Sequence, residues 1–171
     1  ALLQFDIPYR VYGGQRFFER LEIKNALAYM RLILNCHDDV AFERVVNIPT
    51  RGIGERTVDA VREHARNISI SMWSAAKAMI VDKNLNTRSA NALAAFLNLI
   101  NEMTNTLEAL PLSELAENSI EMSGLIEMHR REKGERGQSR VENLEELVGA
   151  CKNFTPESID TVSYTHLTLP T

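Results

Sequence analysis

The sequence predicts an all-α fold, and three observations carry that prediction. From about residue 15 onward, apolar residues recur at the three-and-four spacing of an amphipathic helix in almost every segment. The connections between segments are short and marked by Pro, Gly, Asn, Asp or Ser. The one β-prone alternation, Ile7-Pro8-Tyr9-Arg10-Val11-Tyr12, stands alone and ends at Gly13-Gly14. A single strand makes no sheet, so its partners are expected outside this chain. At 171 residues, with 44% hydrophobic and 25% charged residues, the chain is long enough for one domain with a substantial core.

Residues 15 to 35 form the first helical stretch. Ile23, Ala26, Leu27, Met30, Ile33 and Leu34 make its apolar stripe, with Glu22, Lys24 and Arg31 largely off it. Asn35 ends the run. Asp38 and Asp39 are N-cap candidates for a second helix carrying Phe42, Val45 and Val46. Paired aspartates also suit a metal or acid–base role, but no third ligand or partner lies nearby in sequence. Val58, Val61, Ala65 and Ile68 then mark a helix to about Asn67. Ser69 or Ser71 caps a short helix with Met72, Trp73, Ala76 and Met79, where Trp73 reads as core and not as a base-stacking platform. A longer helix from about Thr87 to Leu107 puts Leu93, Phe96, Leu97, Ile100 and Leu107 on one face. Pro111 stops that region and Ser113 starts another helix through Leu115. Gly124 resembles a helix-ending glycine, and Leu125, Ile126 and Met128 continue beyond it.

Residues 129 to 140 set five Lys or Arg against two Glu, the one locally basic segment. Gly134 and Gly137 predict a mobile loop, either in contact with a phosphate backbone or simply solvated. Ser139 and Glu142 fit a capping box that opens a last helix with Leu144, Leu147, Val148 and Cys151 on one stripe, ended by Phe154-Thr155-Pro156. Residues 162–171 depart from this pattern. They resemble the translation of a sequencing adapter, so the native sequence is expected to stop near Asp160 or Thr161, and His166 is set aside.

The most distinctive stretch is Ile48-Pro49-Thr50-Arg51-Gly52-Ile53-Gly54-Glu55-Arg56-Thr57. Pro49 stiffens the approach, Gly52 and Gly54 allow positive φ and close backbone approach, and Ile53 between them can pin the turn to a core. A glycine turn that opens a helix presents free N–H groups and a partial positive charge, which suits a phosphate. Arg51 and Arg56 flank it and offer charge-assisted contacts. The arrangement has the form of a helix-hairpin-helix, which holds duplex DNA without reading bases. The alternative is a tight turn between two packed helices with solvated arginines.

The totals restrict the other classes. A net charge of −4 argues against a dedicated nucleic-acid-binding domain, so any such contact is local and weak. Cys36 and Cys151 are far apart without metal-ligand spacing, which fits a reducing cytoplasm. No apolar run approaches the ~20 residues of a membrane span. His37, His64 and His129 lack metal spacing, and neither a Gly-x-x-x-x-Gly-Lys-[Ser/Thr] phosphate loop nor a Gly-x-Ser-x-Gly elbow occurs. No catalytic residue, metal or cofactor is therefore assigned to this segment.

Several motifs occur together, in one order. They are Tyr12-Gly13-Gly14, Arg16-Phe17-Phe18-Glu19-Arg20, and Glu22-Ile23-Lys24-Asn25-Ala26-Leu27-Ala28-Tyr29-Met30-Arg31-Leu32. Asp38-Asp39, Phe42-Glu43-Arg44-Val45-Val46-Asn47, Thr50-Arg51-Gly52-Ile53-Gly54 and Ser139-Arg140-Val141-Glu142-Asn143-Leu144-Glu145-Glu146-Leu147 follow. This set resembles the UvrD/PcrA/Rep-type superfamily-one DNA helicases over about residues 1 to 155, with Asn25 where the family usually has Asp. The full Arg-Gly-Ile-Gly favours the UvrD or PcrA branch over Rep.

The resemblance implies a fragment of an ATP-driven 3′ to 5′ DNA helicase acting in repair or replication. Residues 1–12 would be the end of a RecA-like strand, and 13–161 a helical insertion into that domain. Gly13 and Gly14 would lie near its hinge. Thr50, Arg51, Gly52, Ile53, Gly54, Arg56 and Thr57 would hold duplex DNA at the junction with single strand. ATP and Mg would bind the parent protein outside this segment, which alone would be inactive, and repair proteins are possible partners. The other readings are a free-standing helix-hairpin-helix DNA-binding module and a helical protein-interaction domain.

Overall fold

The computed structural model describes residues 15–153, and among them the chain is helical without a strand. The expected strand at 1–12, the Gly13-Gly14 hinge, the Phe154-Thr155-Pro156 stop and the 162–171 tail lie outside the described residues. In order the helices are α1 Gln15–Glu19, α2 Leu21–Leu34, α3 Asp39–Val45, α4 Glu55–Ile68 and α5 Met72–Val81. They continue with α6 Thr87–Leu107, α7 Leu112–Met122, α8 Leu125–Arg130 and α9 Glu135–Lys152.

The helix α2 is the axis of the body. It packs against α3, α6, α7 and α9, and Ala26, Ala28, Tyr29, Met30 and Leu32 are all 0% exposed. The expected stripe is therefore too narrow. Glu22 and Asn25 are buried as well, while Leu34, assigned to the apolar face, is 45% exposed. Both Glu22 and Asn25 have partners, as burial requires. Asn143 Nδ2 donates to Glu22 Oε2 at 2.7 Å, and Arg44 Nη1 donates to Asn25 Oδ1 at 3.3 Å.

Side-chain caps define several helix starts. Asp38 caps α3 by accepting from the Ala41 N–H at 3.0 Å. Asp39 serves a different helix, accepting from the Met72 N–H that begins α5 at 2.8 Å. Both aspartates are thus used as caps, one per helix. Ser71 caps α5 through Ser74 N–H, and Asn86 caps α6 through Ser89 N–H at 2.8 Å. The long helix α6 has the boundaries its apolar pattern predicts, and Leu93, Phe96, Leu97, Ile100 and Leu107 are all buried. Trp73 is buried, as core.

The basic segment is mostly helix, contrary to the mobile-loop expectation. Only residues 131–134 separate α8 from α9, and α9 begins at Glu135, so Ser139-x-x-Glu142 lies inside it. Gly137 does not break this helix because it is a contact point. A Cβ built there would meet the His129 carbonyl oxygen at 2.6 Å and the Glu132 carbonyl oxygen at 2.8 Å. His129 is buried, with Nδ1 2.5 Å from Glu132 Oε1, and Arg140 Nη1 reaches both Glu132 oxygens at 3.0 and 3.1 Å. The hydrogen bond to His129, with Arg140 beside it, holds the Glu132 carboxyl below its ordinary range.

Candidate nucleic-acid interface

The glycine stretch connects the end of α3 to the start of α4. Asn47 organises it: its Oδ1 accepts from Arg51 N–H at 2.8 Å and from Ile53 N–H at 3.2 Å. One side chain thus satisfies two backbone donors that a turn would otherwise expose. Ile53 is 1% exposed and pins the turn to the core, as its place between the glycines suggests. The Ile48–Pro49 peptide is cis.

The two glycines have different reasons. Gly52 has φ +83, in the left-handed region where a side chain is strained. Gly54 is extended at φ −80 and ψ 171, and apart from its chain neighbours no atom of the described residues lies within 4 Å of where its Cβ would stand. Neither conformation nor internal contact demands glycine at 54. What the absent side chain leaves is an unobstructed approach to the first turn of α4. The N–H groups of Glu55 and Arg56 have no acceptor among the described residues, while those of Thr57 and Val58 bond the Gly54 carbonyl at 3.1 and 3.2 Å. Gly54 supplies no side-chain cap, so the positive end of α4 is presented bare.

The predicted contact residues divide by direction. Thr50, Gly52, Gly54 and Arg56 are exposed. Thr57 is buried and its hydroxyl donates to Ser89 Oγ at 3.2 Å, tying α4 to α6. Arg51 turns inward. Its Nη1 donates to the carbonyls of Val45 at 2.9 Å, Val46 at 3.1 Å and Ile48 at 3.4 Å. Its Nη2 donates to the Tyr29 hydroxyl at 2.9 Å and the Ser123 carbonyl at 3.4 Å. Its guanidinium carbon lies 5.1 Å from the centre of the Phe96 ring.

The electrostatic result is asymmetric. The last carbonyls of α3 form the negative end of a helix, and Arg51 covers them. The positive end of α4 stays open beside exposed Arg56. Glu55 sets a carboxylate on the same turn, which keeps the local charge modest. On the other side of α4, Arg62 is held by Glu43 and by Asp59 at 2.6 Å, and those hydrogen bonds, Asp59 first, raise its pKa. Arg62 is thus an internally paired cation, whereas Arg56 has no ion-pair partner among the described residues.

Tyr29, Asn47, Phe96 and Ser123 support the turn, and sequence reading assigned none of them to it. Tyr29 is 0% exposed, and its hydroxyl donates toward the carbonyls of Val45 and Ile48. Burial pushes its phenol above the ordinary range, with Arg51 opposing, so it remains a neutral hydroxyl. Among the described residues no group of three or more His, Cys, Asp or Glu is placed to hold a metal, and no helix is long and apolar enough to cross a membrane.

The sequence model of the UvrD-like helicase C-terminal domain matches residues 1–167. The chain belongs to this family. UvrD-like relatives include DNA helicase II of Escherichia coli strain K12, 52% identical over 155 residues, which are 91% of this chain and 22% of that protein. DNA helicase II of Haemophilus influenzae is 51% identical over 154 residues, covering 90% of this chain and 21% of that protein. ATP-dependent DNA helicase PcrA of Bacillus subtilis is 35% identical over 168 residues, 98% of this chain and 23% of that protein. The chain thus spans about a fifth of the length of the curated relatives it matches. Its UvrD-like sequence is nearer to the helicase II relatives than to PcrA.

Proposed function

We propose that this UvrD-like chain is part of an ATP-dependent 3′ to 5′ DNA helicase and forms the helical subdomain inserted in its second RecA-like domain. In this reading the segment grips duplex DNA ahead of the single-strand junction and regulates unwinding in repair or replication in the cytoplasm. The supporting observation is the bare N-terminus of α4 behind Gly54, where among the described residues the N–H groups of Glu55 and Arg56 have no acceptor and the place of a Gly54 Cβ is open. Such a site holds phosphate oxygens and carries no base information.

Of the positions read from the sequence, Arg51 is turned inward onto main-chain carbonyls and Tyr29, and the others divide in role. Thr50, Gly52, Gly54 and Arg56 meet the phosphates, while Ile53 and Thr57 hold the turn to the core. The sequence carries no Gly-x-x-x-x-Gly-Lys-[Ser/Thr] phosphate loop. ATP and Mg are assigned in this reading to the rest of the helicase.

The test is Arg56→Ala in the complete helicase. Expected is a several-fold loss of duplex affinity, with the salt slope reduced by about 0.9, while ATPase stimulated by single strands is retained. Equal loss of both activities would refute the division of labour. Unchanged duplex binding after Arg56→Glu would favour a protein-interaction role for this face.

A further inference from the structure

We propose that Arg51 serves duplex DNA as a positioning residue, orienting the glycine turn from behind while the N–H groups of Glu55 and Arg56 and the Arg56 side chain meet the phosphates. The proposal rests on the duplex-binding reading above. Its basis is the direction of the guanidinium. Arg51 Nη1 is spent on the carbonyls of Val45, Val46 and Ile48, and Nη2 on the Tyr29 hydroxyl and the Ser123 carbonyl. A phosphate would have to compete with all of these acceptors and with the Phe96 ring.

The same contacts explain what the group does. Val45 and Val46 close α3, Ile48 begins the turn, Tyr29 lies in the buried axis α2, and Ser123 precedes the α7–α8 corner. One planar fork therefore ties the turn to three elements, across a sequence separation of 72 residues in the case of Ser123. The corner also touches the turn directly, since a Cβ on Gly124 would stand 3.4 Å from Pro49 Cγ. Lysine is a single charged point and cannot reproduce two nitrogens aimed at separate acceptors. A residue in this place acts on the ligand through the backbone it holds.

The test is duplex binding by the 171-residue chain, measured against salt by fluorescence anisotropy with a labelled blunt duplex. Arg51→Gln, Arg51→Lys, Tyr29→Phe and Arg56→Gln are compared at a temperature where circular dichroism shows each fully folded. Expected for the first three is a loss of about tenfold in affinity with the wild-type salt slope. Arg56→Gln is expected to reduce the slope by about 0.9. The Gly52, Ile53 and Gly54 amide resonances should move in Tyr29→Phe, which removes only a hydroxyl from a side chain with no access to DNA.

A slope reduced by Arg51→Gln as much as by Arg56→Gln makes Arg51 a phosphate ligand and overturns the proposal. So does full affinity in Arg51→Lys, because charge alone then suffices. Wild-type affinity in folded Arg51→Gln and Tyr29→Phe reduces both residues to stability roles and also overturns it. If Arg51→Gln does not fold, Tyr29→Phe decides between those results. No duplex binding by the wild-type chain removes the underlying reading itself, which is a separate and visible failure.

Discussion

Two glycines in this chain illustrate opposite uses of a missing side chain. At Gly137 the helix α9 meets backbone: an added Cβ would stand 2.6 Å from the His129 carbonyl oxygen. Helix propensity favours alanine over glycine by about 1 kcal/mol. The clash involves backbone atoms from residues 129 and 132, which cannot swing aside, so the contact wins. Gly137→Ala is expected to lose about 1–2 kcal/mol in urea unfolding. At Gly54 the situation reverses, with open space and an ordinary φ. Gly54→Ala is expected to change stability by less than about 1 kcal/mol, yet to weaken duplex binding, because its methyl group stands where a phosphate would approach. A variant that keeps full duplex affinity would remove Gly54 from the interface. Sequence inspection separates neither glycine from the other. Both look like loop signals, and only the surroundings assign one to a helix contact and the other to a free face.

At the scale of elements, the helices that pattern reveals are those whose apolar residues all find one neighbour-facing side. The helix α6 is such a case, with Leu93, Phe96, Leu97, Ile100, Met103 and Leu107 all buried. The axis α2 is not, because Glu22 and Asn25 are buried through partners at Asn143 and Arg44, far along the chain. The start of α9 is hidden for a related reason: a genuine capping-box spacing at Ser139 and Glu142 falls within a helix already begun. The turn itself was legible from Gly52, Ile53 and Gly54. The inward course of Arg51 was not, since its acceptors are main-chain carbonyls with no residue signature. The α8–α9 corner makes its own prediction. Glu132, 28% exposed at its side chain, has its pKa depressed by His129 and Arg140. A depressed folded-state pKa contributes stability above the unfolded value and loses it as pH falls through the folded value. Stability should therefore decline below the ordinary carboxylate value of 4.5, and Glu132→Gln should flatten that decline in acid titrations of urea midpoints. An unaltered decline would place the acid sensitivity elsewhere.

At the scale of the whole molecule, charge limits how firmly the interface can hold. The chain carries a net −4, and the open cation beside the turn is Arg56, with Glu55 next to it. With one phosphate neutralised by Arg56, the slope of log affinity against log salt should be about −1. A slope near −6 would require a larger basic surface than this body shows. A weak, quickly released grip agrees with the proposed role in a motor that must move along its track. The hydrogen bond between Glu22 and Asn143 bridges 121 positions, so the first long helix and the last lie side by side. From Asn143 the end of α9 is only about 14 Å further along its axis. Among the described residues the body therefore closes on itself at the start of α2. In the proposed reading as an inserted subdomain, such closure lets a host domain carry the body as one unit.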